Sequence, residues 1–406
     1  MLNKDNQREL AYVVRINDIT PIEGYDRVEL AHVGGWTIVV GKGEFKPDDL
    51  AIYFEIDSKL PKVKPFIDME FLAKKKFKVK TQKMCKSISQ GLLMSINNFG
   101  WDYFDDNGAD GIIDDEGIIH YNTDESRFLT KKLGVTYYIK EDNRRKAKYT
   151  DKYTKMAQRH SKLFAKQPYK WLMQRKWGKE FLFIFYGNKN DSLKWPEWVK
   201  KTDEERVENM PWILTDKEPW IATEKIDGTS TTFTMKRGKR NKFEFYVCSR
   251  NVVFDKPDKP CFYNSNVYLE MAEKYNIEAH MKDMLGVHPE WEWVTIQGET
   301  FGYGVQKNDY DLDDHDFMAF NLVTSDKGRW NTVDMRRFLS DGYNIPCVPI
   351  INTEYVLPDT IEELREYVQS ELSTVNGKIK EGIVFRDMIG DKSFKCVDPE
   401  YLIKYH

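Results

Sequence analysis

Apolar positions in the first hundred residues come in short runs separated by turn residues. Leu10–Arg15 is apolar and β-branched, Val28–Val33 alternates, and Trp36–Val40 follows Gly34-Gly35. Leu50–Ile56 follows the turn Lys46-Pro47-Asp48-Asp49, and Leu92–Ile96 follows Gln90-Gly91. Runs of this length between such turns predict strands. Strands at this spacing predict a small β-barrel. Beyond Pro211 the pattern is mixed. Strands are predicted at Thr229–Met235, Phe243–Cys248, Trp293–Gly298, Phe317–Leu322 and Gly382–Arg386. Helices are predicted at Val267–Tyr275, Val333–Leu339 and Thr360–Leu372, the last with Asp359 as its N-cap. No internal repeat or low-complexity tract interrupts this order. The expected class is α+β.

Composition narrows the picture. The chain has 406 residues, 41% hydrophobic, 31% charged and 14% aromatic, which suits two folded domains. The net charge of -3 hides an uneven distribution. Residues 102–125 carry nine Asp or Glu and are expected to be a solvated loop. Residues 144–179 carry thirteen Lys or Arg and one acid, Asp151, with Tyr149, Tyr153, Phe164, Tyr169, Trp171 and Trp177 interleaved. A solvated helical face would account for the charge. The clustering with aromatics points instead to a track for phosphates and stacked bases. The five cysteines, Cys85, Cys248, Cys261, Cys347 and Cys396, form no C-x-x-C pair, so neither a zinc ribbon nor a disulfide framework is expected. No stretch is apolar enough to span a membrane and the first residues are polar, so a soluble, cytoplasmic protein is expected.

The segment Ala222-Thr223-Glu224-Lys225-Ile226-Asp227-Gly228-Thr229-Ser230 carries the sharpest chemical signal. A lysine attacks only as the neutral amine, which calls for a lowered pKa from burial or a nearby cation. An acid two residues later can hold a hydrated metal, and the following glycine lets backbone approach a nucleotide. K-x-D-G alone is a weak signal and also fits a turn between strands. Further elements follow on or beside apolar strands: Ser249-Arg250-Asn251, Gly298-Glu299, Phe317-Met318-Ala319-Phe320, Glu381-Gly382-Ile383-Val384-Phe385-Arg386 and Ser393-Phe394-Lys395. Nucleotidyl transfer needs a nucleophile, positive charge on the α-phosphate, a metal held by carboxylates, a ribose acceptor and a face for the base. Lys225, Lys395, Glu381, Glu299 and Phe320 are those types. Singly, Phe320 could be core, and Glu299 or Glu381 a surface strand end.

In order and wording these elements resemble the covalent nucleotidyltransferase superfamily of ligases and mRNA-capping enzymes. Thr223-Glu224-Lys225, Ile296-Gln297-Gly298-Glu299 and Val305-Gln306-Lys307-Asn308 are similar to the RNA ligase 2 branch. Pro21-Ile22-Glu23-Gly24, Gly35–Val40 and Tyr53–Ser58 resemble the OB domain of the Deinococcus- and Naegleria-type ATP-dependent RNA ligases, and Trp195-Pro196 and Lys201–Arg206, just before the transferase domain, also resemble that group. Residues 100–190 match less closely. The resemblance implies an N-terminal OB-like barrel and a C-terminal nucleotidyltransferase domain of the ATP-grasp-like ligase adenylation type. It implies catalytic roles for Lys225, Asp227, Glu381 and Lys395. It also implies nucleotide binding by Glu224, Lys225, Ile226, Gly228, Arg250, Glu299, Phe320 and Lys395. Magnesium or manganese would be held by Asp227 and Glu381 through water. Two departures stand out. Ser230 occupies a place where many relatives have Asn, and Lys395 is followed by Cys396-Val397 instead of a second lysine two residues on, for which Lys392 and Lys404 are the alternative candidates.

The expected organisation is an OB-like nucleic-acid-binding domain at 1–140, a basic and aromatic linker region at 141–205, and the transferase at 206–406. The expected activity is sealing of 3′-hydroxyl and 5′-phosphate ends in RNA-containing strands by a monomer using ATP. A DNA ligase or a capping enzyme is the rival within enzymes. The sequence runs eleven residues past Lys395, so the C-terminal OB domain of those enzymes is not expected, which argues against both. A non-catalytic OB-fold RNA-binding protein is the rival outside them.

Overall fold

The computed structural model describes residues 1–3, 8–99, 128–137, 156, 161–164, 166–186, 195–238, 242–254, 263, 265–306 and 310–405. The acidic segment 102–125, Cys261, Lys307-Asn308 and much of the basic segment lie outside these residues. The chain forms two compact units. One comprises Met1–Tyr138 with Pro196–His406, the other Ile139–Trp195.

Among the described residues the N-terminal part of the larger unit holds ten strands: β1 (Ala11–Arg15), β2 (Asp18–Ile22), β3 (Tyr25–Val33), β4 (Trp36–Gly41), β5 (Leu50–Phe54), β6 (Ser58–Lys59), β7 (Thr81–Met84), β8 (Ser87–Gln90), β9 (Leu92–Ser95) and β10 (Thr136–Tyr137). β1, β5 and β9 form one antiparallel sheet, and β2, β3 and β4 another. Alternation along β4 buries Trp36, Ile38 and Val40 against Tyr12, Tyr53 and Leu93. The opposite faces of β1 and β5 bury Val13, Ile52 and Phe54 with Phe66 and Phe99. β5 therefore has core on both sides, which is why its run is apolar throughout and does not alternate.

The C-terminal part holds β11 (Glu205–Arg206), β12 (Trp220–Lys225), β13 (Thr229–Arg237), β14 (Phe243–Ser249), β15 (Val253–Phe254), β16 (Trp293–Gly302), β17 (His315–Thr324), β18 (Gly328–Arg329), β19 (Ile350–Tyr355), β20 (Gly382–Asp387) and β21 (Ser393–Val397). One sheet has the order β11-β21-β20-β12-β19, the other β15-β14-β13-β16-β17-β18. Helices Val267–Lys274 and Ile277–Val287 cover the second sheet through Met271, Met281, Met284 and Leu285, which meet Phe233, Ile296 and Phe317. Helix Ile361–Ser370 covers the first through Leu364 and Val368. Its N-cap is Thr360, not Asp359. Thr360 and Glu363 form a reciprocal capping box, while Asp359 pairs with Lys217 at 2.8 Å. The helix expected at Val333–Leu339 is Thr332–Arg336, continued by a wider π turn over Arg337–Asp341.

Candidate active site

β12 and β13 are consecutive in the chain but lie in different sheets, so the turn Ile226-Asp227-Gly228 crosses from one to the other. Gly228 is required there by space. A Cβ on it would stand 2.3 Å from the Thr300 carbonyl oxygen. Lys225, the last residue of β12, is paired with Gly382 on β20, which sets Glu381 beside it. The Lys225 Nζ donates to Glu381 Oε2 at 2.6 Å. β13 pairs with β16 so that Ser230 faces Glu299. Asp227 is fixed at both ends: its backbone N–H donates to Tyr310 Oη at 3.0 Å, and its Oδ2 accepts from Tyr401 Oη at 3.1 Å.

The electrostatics corrects one sequence-based expectation. Burial works to lower the Lys225 pKa, but Glu381, Glu299 and Asp227 together hold it above its ordinary value. Lys225 is thus an ammonium among carboxylates, not a pre-formed amine. Burial pushes the Glu299 carboxyl up to about 8, with the charges of Glu381 and Asp227 adding to the rise against Lys225. Crowded carboxylates that resist ionising together suit a hard cation with oxygen ligands. Among the described residues no three such side chains converge as a ready cage.

A second cluster adjoins this one. Lys395, opposite Val384 on β21, donates to Asp203 Oδ1, and Arg250, in the turn after β14, donates to Asp203 Oδ2, both at 2.7 Å. Burial would raise the Asp203 pKa, yet Lys395 and Arg250 hold it far below the carboxylate range. Burial lowers Lys395, and the charges of Arg206, Arg8 and Lys225 add to that against Asp203. Asp203 belongs to a strap that crosses the sheets. Trp198 donates to Thr234 Oγ1, Gln297 to the Lys200 carbonyl, Lys201 to Asn251, and Arg386 to Glu204. Sequence reasoning gave Asp203 no role, nor Tyr310 or Tyr401. Asp203 is signalled only by its place in the Lys201–Arg206 segment, and neither Tyr310 nor Tyr401 lies in a local pattern that demands a phenol.

The remaining expected residues divide. Ile226 packs with Phe301, Tyr310 and Val348, and Phe320 and Met318 lean on that cluster. This gives an apolar wall beside Lys225. Glu224 is turned away: its buried carboxylate accepts from Ser373 Oγ and from the backbone and hydroxyl of Thr374. Lys392 is tied to Asp216 at 3.2 Å, and Lys404 lies over its neighbour Tyr405.

Residues 218–406 match the model of the RNA ligase family, and residues 10–96 match an OB-fold domain model. These matches give the chain an RNA ligase domain at residues 218–406 and an OB-fold domain at residues 10–96. The region matched to the RNA ligase family includes Lys225, Arg250, Glu299, Phe320, Glu381 and Lys395, and Asp203 lies upstream of it. Solved structures of a Naegleria gruberi RNA ligase share the fold. The form with PPi has a TM-score of 0.69 at 22% identity, covering 98% of this chain and 99% of that one. A mutant form with ATP and Mn has 0.69 at 24% identity with the same coverage, and another with ATP and Mn has 0.70 at 23%. No curated protein matches. Among the described residues no helix is long and apolar enough to cross a membrane.

Proposed function

We propose that this RNA ligase uses ATP and works through two adenylylated intermediates, with Lys225 as nucleophile. The observation that carries the reading is the 2.6 Å contact between Lys225 and Glu381 at the junction of the two sheets. In the first step the Lys225 nitrogen bonds to the α-phosphorus as the bond to pyrophosphate breaks. The amine must first give up a proton. Positive charge near the α-phosphate offsets the developing negative charge and draws the carboxylates away from the ammonium. A bound magnesium or manganese ion supplies part of that charge, held through water by Asp227 and Glu381. Lys395 and Arg250 bind phosphate oxygens once released from Asp203. Glu299 takes the ribose and Phe320 the adenine face. Ile226 and Gly228 line the nucleotide through wall and backbone. Glu224 acts indirectly, by holding the Ser373-Thr374 turn. AMP then passes to a 5′-phosphate, the 3′-hydroxyl attacks that phosphorus, and AMP leaves. Nicks with RNA on the 3′-hydroxyl side are the preferred substrate, and the cytoplasm the expected location. In this division residues 1–140 hold nucleic acid, and residues 206–406 perform the chemistry.

Mass spectrometry of the protein mixed with ATP and magnesium or manganese tests this. A peptide containing Lys225 should gain one AMP, and Lys225→Ala should lose the adduct while retaining most RNA binding. An adduct that survives the substitution, or forms with GTP alone, rejects the assignment. Sealing of RNA and DNA nicks side by side then decides the strand preference.

A further inference from the structure

The smaller unit contains helices Ser161–Phe164, Gln167–Met173 and Lys176–Tyr186. They share a small core of Met156, Phe164 and Leu182, flanked by Tyr169, Leu172, Phe183 and Tyr186. That core uses one face of helix Lys176–Tyr186. On the same helix Trp177, Phe181, Ile184 and Phe185 are 57%, 49%, 61% and 66% exposed. Their spacing puts them along one side of the helix. Trp171, 46% exposed, extends the row from the preceding helix. Its ring lies 6.0 Å from that of Trp177, edge to face, and the Arg175 guanidinium lies 3.8 Å from its centroid. Phe181 and Phe185 stand 5.1 Å apart.

A contiguous row of exposed rings marks a contact surface. Charge selects the partner. Lys166, Lys170, Arg175 and Lys179 accompany the rings, Glu180 is the only acid in the two longer helices, and residues 144–179 hold thirteen Lys or Arg against one acid. A polyanion with flat apolar faces matches both features. Bases stack on the rings, and phosphates meet the cations. We propose that the Trp171, Trp177, Phe181 and Phe185 face, with Arg175, is a second RNA-binding site that takes unpaired nucleotides. Stacking needs a free base face, so paired RNA is a poor ligand. The proposal rests on RNA being the substrate of the ligase.

The test uses the full chain, a fluorescent single-stranded RNA of mixed sequence and a blunt RNA duplex of equal length. Fluorescence anisotropy should show the triple variant Trp177→Ala, Phe181→Ala, Phe185→Ala binding single strands about ten-fold or more weakly. Duplex binding should change less than about two-fold, since its base faces are covered. Trp177→Phe should retain most of the affinity, and the Lys225 adduct should form as in the parent chain. Single-strand affinity equal to the parent's, with the adduct intact, overturns the proposal. So does parent-chain binding to phosphatidylglycerol vesicles that the triple variant alone loses, or self-association that the triple variant alone loses, if RNA affinity holds. Failure of the parent chain to form an adduct with ATP rejects the ligase chemistry instead, and leaves the RNA comparison to be read by itself.

Discussion

Lys225 is held as an ammonium by its neighbours, so its chemistry depends on what draws those carboxylates away. Glu381→Gln removes the largest charge that raises the Lys225 pKa. The apparent pKa should fall, seen as pH-dependent reductive methylation of Lys225 moving to lower pH, while adduct yield should drop on the proposed mechanism, in which Glu381 helps to hold the metal. Unchanged methylation would mean that Glu381 does not set the charge of the lysine. Glu299 makes the opposite kind of prediction. Its folded pKa of about 8 lies above the ordinary 4.5. Between those values the folded state binds more protons than the unfolded one, so this group's contribution to stability is present below pH 4.5 and lost as pH rises through 8. Glu299→Gln should therefore stabilise the protein at pH 8–9 by about 1–3 kcal/mol in urea unfolding, with the gain shrinking towards pH 4.5. Parallel stability curves across that range would place Glu299 in a milder environment.

Elements with a local cause were legible in the sequence, and those with a long-range cause were not. The turn after β3 shows both. Gly34-Gly35 between apolar runs announces a hairpin, and Gly34 does sit at φ 54°. Nothing local shows that Gly35 is pressed against the C-terminal part. Its N–H donates to the Glu208 carbonyl at 2.8 Å, Arg365 donates to its carbonyl, and a Cβ would stand 2.7 Å from Glu208 Cα. Gly35→Ala should cost about 1–3 kcal/mol by overpacking, whereas Gly24→Ala, with open space around it, should cost only its strained φ of 80°. Equal losses at the two sites would deny the hairpin its docking role. β12 was likewise seen only as the flank of a motif, because its burial comes from β19 and β20 far along the chain. The Lys-Ile-Asp-Gly turn could be read because its chemistry is compressed into four residues. The strap holding Asp203 could not, because its contacts are scattered over β13, β16, β20, β21 and the turn after β14.

At the scale of the whole molecule, one buried network joins the N-terminal barrel to the C-terminal sheets. Asn209 accepts from Tyr12 Oη and Trp36 Nε1, and donates to Glu55 and Glu205. Glu55 is fully buried and also accepts from Arg8 at 3.3 Å. Burial would raise its pKa, but Arg8 and the amino group of Met1 hold it at about 2. The sign is that of a depressed carboxylate. Its stabilising contribution is present above pH 4.5 and lost as pH falls towards 2. Glu55→Gln removes the nearest partner of Arg8 and leaves it Asp57 at 3.8 Å, so it should cost about 3–5 kcal/mol at neutral pH. The same variant should lose less further stability than the parent between pH 4.5 and 2, because the group that titrates there is gone. Arg8→Ala added to Glu55→Gln should cost much less than Arg8→Ala alone, since the two act as a pair. Fully additive losses would show that Glu55 and Arg8 stabilise the fold separately.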